Sequence, residues 1–120
     1  PSDHASQIAF DREELLKAVK ICSIFARDAA NIITLSLKKE SIIVSSQNPS
    51  LGDNTVTVEA NLTGEENDIA FNARYLLDAL SNIPEDILIF QMTGPLNPGV
   101  FKIKDNESFL HLIMPIRLPA

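Results

Sequence analysis

The chain has 120 residues, of which 45% are hydrophobic and 22% charged; that suits one domain with a core and excludes intrinsic disorder. Sixteen acidic residues against ten basic ones leave a net charge of −6, which excludes tight nucleic-acid binding by bulk attraction but leaves room for a local basic face. The single cysteine, Cys22, excludes a disulfide scaffold and a cysteine-rich zinc site and suits a reducing compartment. No apolar run approaches the roughly 18 residues of a membrane span, and Pro1-Ser2-Asp3-His4 has neither the basic nor the apolar stretch of a signal peptide.

The first element in chain order is a short alternating strand, Gln7 to Phe10. Asp11 can cap the helix that follows, because a carboxylate accepts hydrogen bonds from the free N–H groups of a first turn, and Glu14 completes a capping-box spacing. Three strands rich in Ile, Val, Thr and Leu come next: Asn31 to Leu37, Ser41 to Ser46 and Thr55 to Leu62. The chain then starts again. Asp68 to Phe71 alternates as a strand, and Asn72 can cap a second helix. Strands are expected at Ile87 to Met92, Val100 to Lys104 and Phe109 to Pro115. The connectors carry turn residues, among them Gln47-Asn48-Pro49 and Gly94-Pro95-Leu96-Asn97-Pro98-Gly99.

The two halves share a pattern: Phe, a capping residue, three residues, Leu-Leu, any residue, Ala and an aliphatic. It begins at Phe10 and again at Phe71, 61 residues later. Residues 1–120 therefore read as one domain built of two repeats, about 5–62 and 65–116, each a strand, a helix and three strands. Two helices cannot cover both faces of eight strands. The expected class is α+β, with both helices on one face of antiparallel sheets.

On a helical wheel Leu15, Leu16, Val19 and Cys22 share the apolar side of the first helix, and Leu76, Leu77 and Leu80 that of the second. Lys17 and Lys20 fall on the opposite side near Glu13, while Arg74, Tyr75, Asp78 and Asn82 share the polar side of the second helix. These charges either solvate an outer face or form a weakly basic surface for a phosphate backbone. Ile24 projects near the polar side, where it either covers a loop or contacts another subunit.

Catalytic signals are weak. There is no Gly-rich phosphate loop, metal-spaced His/Cys cluster or nucleophile elbow. Cys22 falls on an apolar face and reads as an inert core thiol, and His111, between Leu110 and Leu112, is expected to face solvent or to bond along its strand. The chain is expected to be no enzyme and to need no cofactor or metal. A small α+β enzyme using Cys22 or His111 is the rival from another class.

Two segments carry a family resemblance. Ile113-Met114-Pro115-Ile116-Arg117-Leu118 is similar to the ending of the bacterial sliding clamp, the beta subunit of DNA polymerase III. Phe71-Asn72-Ala73-Arg74-Tyr75-Leu76-Leu77-Asp78-Ala79-Leu80 resembles the second-helix entry of that family's third domain, and Gln47-Asn48-Pro49 matches a turn of the family. The resemblance covers Pro1 to Leu118 and implies the DNA-clamp fold. It implies a subunit of three such domains, two subunits closing a ring around duplex DNA with the helices lining the hole. The implied function is processivity in the cytoplasm, with no chemistry to catalyse and no membrane role.

On that resemblance Arg12, Lys17, Lys20 and Arg74 would face DNA, while Ile24 and Phe25 would lie at the subunit interface of a homodimer. Leu112, Ile113, Met114, Pro115, Ile116, Arg117 and Leu118 would wall a pocket for partner peptides. Those partners would be the DNA polymerase III alpha subunit, the clamp loader and other clamp-binding proteins. The tail also reads simply as a last core strand, since alternation lets only some of these side chains face a pocket. The loop after Pro49 holds only Asp53 where the family often has several acidic residues, and the chain continues past the Arg-Leu pair with Pro119-Ala120. The alternative function is a standalone interaction domain of the same fold without a DNA role.

Overall fold

Alternation of side chains sets the first strand, β1 (Ser6–Asp11): Ser6, Ile8 and Phe10 are buried and their neighbours half-exposed. Its last residue starts the helix α1 (Arg12–Ala26), the Asp11 carboxylate accepting a bond from the Glu14 N–H at 3.0 Å. The three strands that follow are β2 (Ile32–Lys38), β3 (Ser41–Asn48) and β4 (Gly52–Gly64). The second half repeats the order as β5 (Asn67–Asn72), α2 (Ala73–Asn82), β6 (Ile87–Met92), β7 (Gly99–Ile103) and β8 (Asn106–Ile113). Asn72 caps α2, its side-chain oxygen accepting from the Arg74 N–H at 2.9 Å. The computed structural model describes residues 5–26, 31–48 and 52–116, without the side chains of Phe25, Gln47, Asn48, Asp53 and Glu107.

Every strand pairing is antiparallel, and the eight strands form one curled sheet in the order β5-β2-β3-β4-β1-β6-β7-β8. β4 joins the halves. Its residues Gly52 to Glu59 pair with β3 and Ala60 to Gly64 pair with β1, so one long strand crosses from one four-strand set to the other. The curl brings the two sets face to face. Phe71 of β5 meets Phe90 of β6 edge-on at 6.0 Å, and Phe101 of β7 lies 5.1 Å from Phe90 and 6.2 Å from Phe10. Such edge-on and tilted pairs suit the positive rim and negative face of the rings.

The helices pack against each other, α1 covering β3 and β4 and α2 touching β5 and β8. Leu15, Ala18, Val19 and Cys22 of α1, and Leu76, Ala79 and Leu80 of α2, are buried. Leu16 and Leu77 are half-buried against the same core. Each helix is tied at its first N–H to the chain just before a strand of the other half: Arg12 N–H to Asp86 C=O and Ala73 N–H to Asn31 C=O, both at 2.7 Å. These two bonds relate the halves by a pseudo-twofold. Asn31 takes φ 59° there, a left-handed conformation that Asn tolerates better than most residues.

Several element bounds differ from the sequence expectation. β4 is longer at both ends than Thr55 to Leu62, because it serves two neighbours. β8 begins at Asn106, right after a tight turn through Asp105 at φ 64°, and it ends at Ile113 rather than Pro115. Pro115 has no N–H to give to a ladder, which is a physical reason for the strand to stop before it.

Candidate partner-binding and DNA-facing surfaces

Four side chains were expected to face DNA, and they divide three to one. Lys17, Lys20 and Arg74 are exposed. Arg12 is only 13% exposed. Its guanidinium donates to the Leu80 C=O at 3.0 Å and the Glu85 C=O at 2.7 Å, with Glu13 at 3.8 Å. Leu80 lies in the last turn of α2, whose carbonyls lack intrahelical partners, so Arg12 serves as a staple from the start of α1 to the end of α2. That corrects its assignment: a fork already held by two carbonyls is poorly placed to meet a phosphate.

The exposed charges of the helix pair balance. Lys17, Lys20 and Arg74 stand with exposed Glu13, Glu14 and Asp78. A groove of about 880 Å³ is lined by Asp11, Glu14, Glu40 and Glu59 among others. Four carboxylates there repel a phosphate backbone rather than bind it.

Ile24 is 62% exposed, and Ile21, one turn earlier on the same side of α1, is 47% exposed. Together they make a small apolar patch at the C-terminal end of the helix. The reading that Ile24 covers a loop is not what the described residues show. The side chain of Phe25 lies outside the described set, as do residues 49–51 of the turn that carried part of the resemblance.

The end of β8 is the third surface. Phe101 and His111 are partners in register on β7 and β8, and their rings meet edge-on at 6.5 Å. Phe101 is fully buried, so His111 faces inward. Of the two expectations for His111, to face solvent or to bond along its strand, the first does not match this register, and the side chain is half-buried. The consequence for its neighbours is direct: Leu110, Leu112 and Met114 are thrown outward and are 56%, 66% and 64% exposed. Ile113 points back to the core and is 4% exposed, so it cannot line an outer pocket without rearrangement. Pro115 and Ile116 are half-buried, and Arg117 and Leu118 lie outside the described residues. Sequence reading missed Leu110 and Leu96, the latter 58% exposed in the β6–β7 connector. Leu110 could have been found by extending the alternation back from Met114 through Leu112.

A cavity of about 330 Å³ lies where Ile116 approaches β5. Ile69, Ala70, Leu96 and Ile116 supply its apolar walls and Thr34, Asn67 and Asp68 its polar ones. Its mixture of aliphatic wall and few polar groups suits an apolar side chain of a peptide.

Residues of enzymatic interest are spent structurally. Cys22 is fully buried, its sulfur 3.6 Å from the Val44 carbonyl oxygen and 3.7 Å from the Asn54 amide nitrogen. Burial pushes the thiol's pKa up, with the neighbouring Ser46 offsetting part of the rise. A high pKa and no access disfavour the nucleophilic thiolate. Among the described residues no group of three His, Cys, Asp or Glu is placed to hold a metal ion. No described helix is long and apolar enough to cross a membrane.

Comparison with known proteins agrees with this geometry. The family described as the DNA polymerase III beta subunit, C-terminal domain, matches residues 1–117. The beta sliding clamp of Bacillus subtilis (strain 168) is 32% identical over 120 residues, 98% of this chain and 32% of that protein. That of Staphylococcus aureus (strain Mu50) is 32% identical over 119 residues, again 98% of this chain and 32% of the relative. The crystal structure of the Bacillus subtilis DNA polymerase sliding clamp superposes with a TM-score of 0.92 at 32% identity, covering 99% of this chain and 32% of that one. The Thermotoga maritima beta subunit, at 24% identity and the same coverage, shares the fold with a TM-score of 0.93. The chain spans about a third of the length of these relatives. With its curled eight-strand sheet, paired helices and exposed β8 stripe, this chain belongs to the family of the C-terminal domain of the DNA polymerase III beta subunit, the bacterial sliding clamp.

Proposed function

We propose that the chain works as one domain of a ring-shaped sliding clamp, a non-catalytic processivity factor in the bacterial cytoplasm. The observation that carries the reading is the family match over residues 1–117, with the fold of a solved clamp along the whole chain.

On this reading the full-length protein is a homodimer that encircles duplex DNA, and the polar side of α1 and α2 faces the hole. Lys17, Lys20 and Arg74 then meet phosphates, while Arg12 holds the helix pair in place. The near-neutral face allows loose contact, which suits sliding better than a strongly basic surface would. Ile24 with Ile21 supplies this domain's share of the subunit interface, next to Phe25.

Partner peptides of the polymerase alpha subunit, the clamp loader and other clamp-binding proteins dock at the end of β8. Leu112 and Met114 present side chains to them, Pro115, Ile116, Arg117 and Leu118 continue the wall, and Ile113 anchors the strand from beneath. Support comes from the exposed stripe and from the cavity that Ile116 lines. A clamp from Bartonella birtlesii has been solved bound to griselimycin, and this compound is the probe to use. An NMR titration of the labelled chain with griselimycin is expected to shift the amides of Leu110 to Ile116 and of Leu96. Shifts confined to other faces would remove the assignment of the site.

A further inference from the structure

The pseudo-twofold makes each half of the sheet a control for the other. Phe10 and Phe71 are equivalent, and each pairs across its ladder with a buried aliphatic, Leu88 and Ile33. Counting from there, Ile89 stands where Thr34 stands, and their next partners are Lys102 and Ser45. Val100 likewise matches Ile43, and its neighbour Leu112 matches Thr57. Two residues earlier on the same strands, Leu110 matches Thr55. The residues of the second half lie on the face turned from the core, because Leu88, Phe90, Phe101 and Ile113 alternate with them and are buried.

The outer face of the first half thus carries Thr34, Ser45, Thr55 and Thr57 around Ile43, and that of the second half carries Ile89, Lys102, Leu110 and Leu112 around Val100. Leu110 and Leu112 are more than half exposed, while Ile89 and Val100 are half-buried. The fold is built with threonine at these positions in its own first half, so core packing does not call for isoleucine or leucine there. Single exposed apolar residues are common. A run of them across three strands, rimmed by polar groups, marks an interaction surface.

The edges of this face say what suits it. On one side Leu112 continues to Met114 and the β8 end. On the other side Ile87, 45% exposed, borders the groove of Asp11, Glu14, Glu40 and Glu59. Between them Lys102 stands beside Ile89 in register, and exposed Lys104 follows it. A carboxylate on a partner is drawn to β7 and turned back at the groove. Over a screening length of about 8 Å at physiological salt, these local charges outweigh the distant ones of the acidic chain. From β8 to β6 is two strand spacings, about 10 Å, which about three residues of extended chain span.

We propose that the outer face of β6, β7 and β8 takes an extended partner segment of alternating apolar and acidic residues, running on from the segment seated at the β8 end. This rests on the reading of the β8 end as the peptide site. Apolar side chains of the segment cover Ile89, Val100 and Leu112, and a carboxylate meets Lys102. Because the two segments are joined, the second docks at high effective concentration and adds affinity even where its own is slight.

A capped pentapeptide, Leu-Asp-Leu-Asp-Leu, is the probe, with Leu-Lys-Leu-Lys-Leu as its charge-reversed counterpart. In an NMR titration of the labelled chain the acidic peptide is expected to shift the amides of Ile89, Gln91, Val100 and Lys102. The basic peptide should bind at least about threefold more weakly. Ile89→Thr, which installs the side chain of the equivalent Thr34, is expected to weaken the acidic peptide by about three- to tenfold and to leave the melting temperature within a degree or two. Lys102→Glu should reverse the preference between the two peptides. Equal binding of the two by the unmodified chain, shifts that avoid β6 and β7, or an unreversed preference would each overturn the proposal.

Griselimycin added first separates this face from the β8 end. The pentapeptide shifts at Ile89 and Lys102 are expected to persist; their loss would mean that the pentapeptide had merely entered the β8-end site, which also overturns the proposal. If griselimycin binds nowhere on the chain, the reading of the β8 end fails, and the pentapeptide still decides whether the outer face takes such a segment.

Discussion

Gly99 shows how closely single atoms are accommodated. A Cβ built there would fall within the ring of Phe90 and close to Phe71, so only glycine lets β7 approach the aromatic cluster. Gly99→Ala is expected to cost about 1–3 kcal/mol, as overpacking of a filled core does, and urea unfolding will measure it. Cys22 makes a different prediction. Its folded-state pKa lies above its unfolded value of about 8.5, so the neutral thiol supports the fold below that pH and the support is lost as pH rises through the higher folded value. Stability is expected to fall above about pH 8.5, and less so in Cys22→Ala; a thiol reagent should label the native chain far more slowly than the urea-unfolded one. Rapid labelling of the native chain would revive a reactive role for this residue.

At the scale of elements, the helix pair separates residues that look alike in the sequence. Arg12 and Lys17 lie on one helix and both were expected to face DNA. Arg12 bridges to the carbonyls of Leu80 and Glu85, whereas Lys17 is exposed. Arg12→Met is expected to cost about 1.5–3 kcal/mol, the worth of hydrogen bonds to a charged group. Lys17→Met should stay within about 0.5 kcal/mol. Equal losses in thermal denaturation would contradict the staple. The strand β8 makes the same point through its faces: Leu110 and Leu112 look like core residues and are not. Replacing both by Ser should leave the melting temperature almost unchanged, and a large loss of stability would place them in the core after all.

At the scale of the molecule, the charge balance matters more than any single lysine. The chain carries a net −6, and its exposed helix face holds three cations and three carboxylates. By itself it has too few unopposed charges to gain much from releasing counterions. A fluorescence-anisotropy titration with a short duplex at physiological salt is therefore expected to show no saturable binding. Tight binding by the chain alone would mean that a basic surface, not encirclement, holds the DNA.

Much of this was legible in the sequence because it depends on neighbours along the chain. Alternation in Ile8 and Phe10, the Leu-Leu stripes of both helices, and the caps at Asp11 and Asn72 are local matters of period and hydrogen-bonding group. From these the order strand, helix and three strands could be read twice, and the tail residues pointed to the family. Other features depend on which strand lies beside which, and local pattern is silent on that. The inward turn of His111 follows from its register with Phe101. The engagement of Arg12 follows from α2 ending beside it, and the two sets of partners along β4 follow from how the sheet curls. The sequence by itself determined the elements, the repeat and the family. The tertiary structure alone decided which of the described charges are free and which apolar side chains meet solvent, because these are set by contacts between residues distant in the chain.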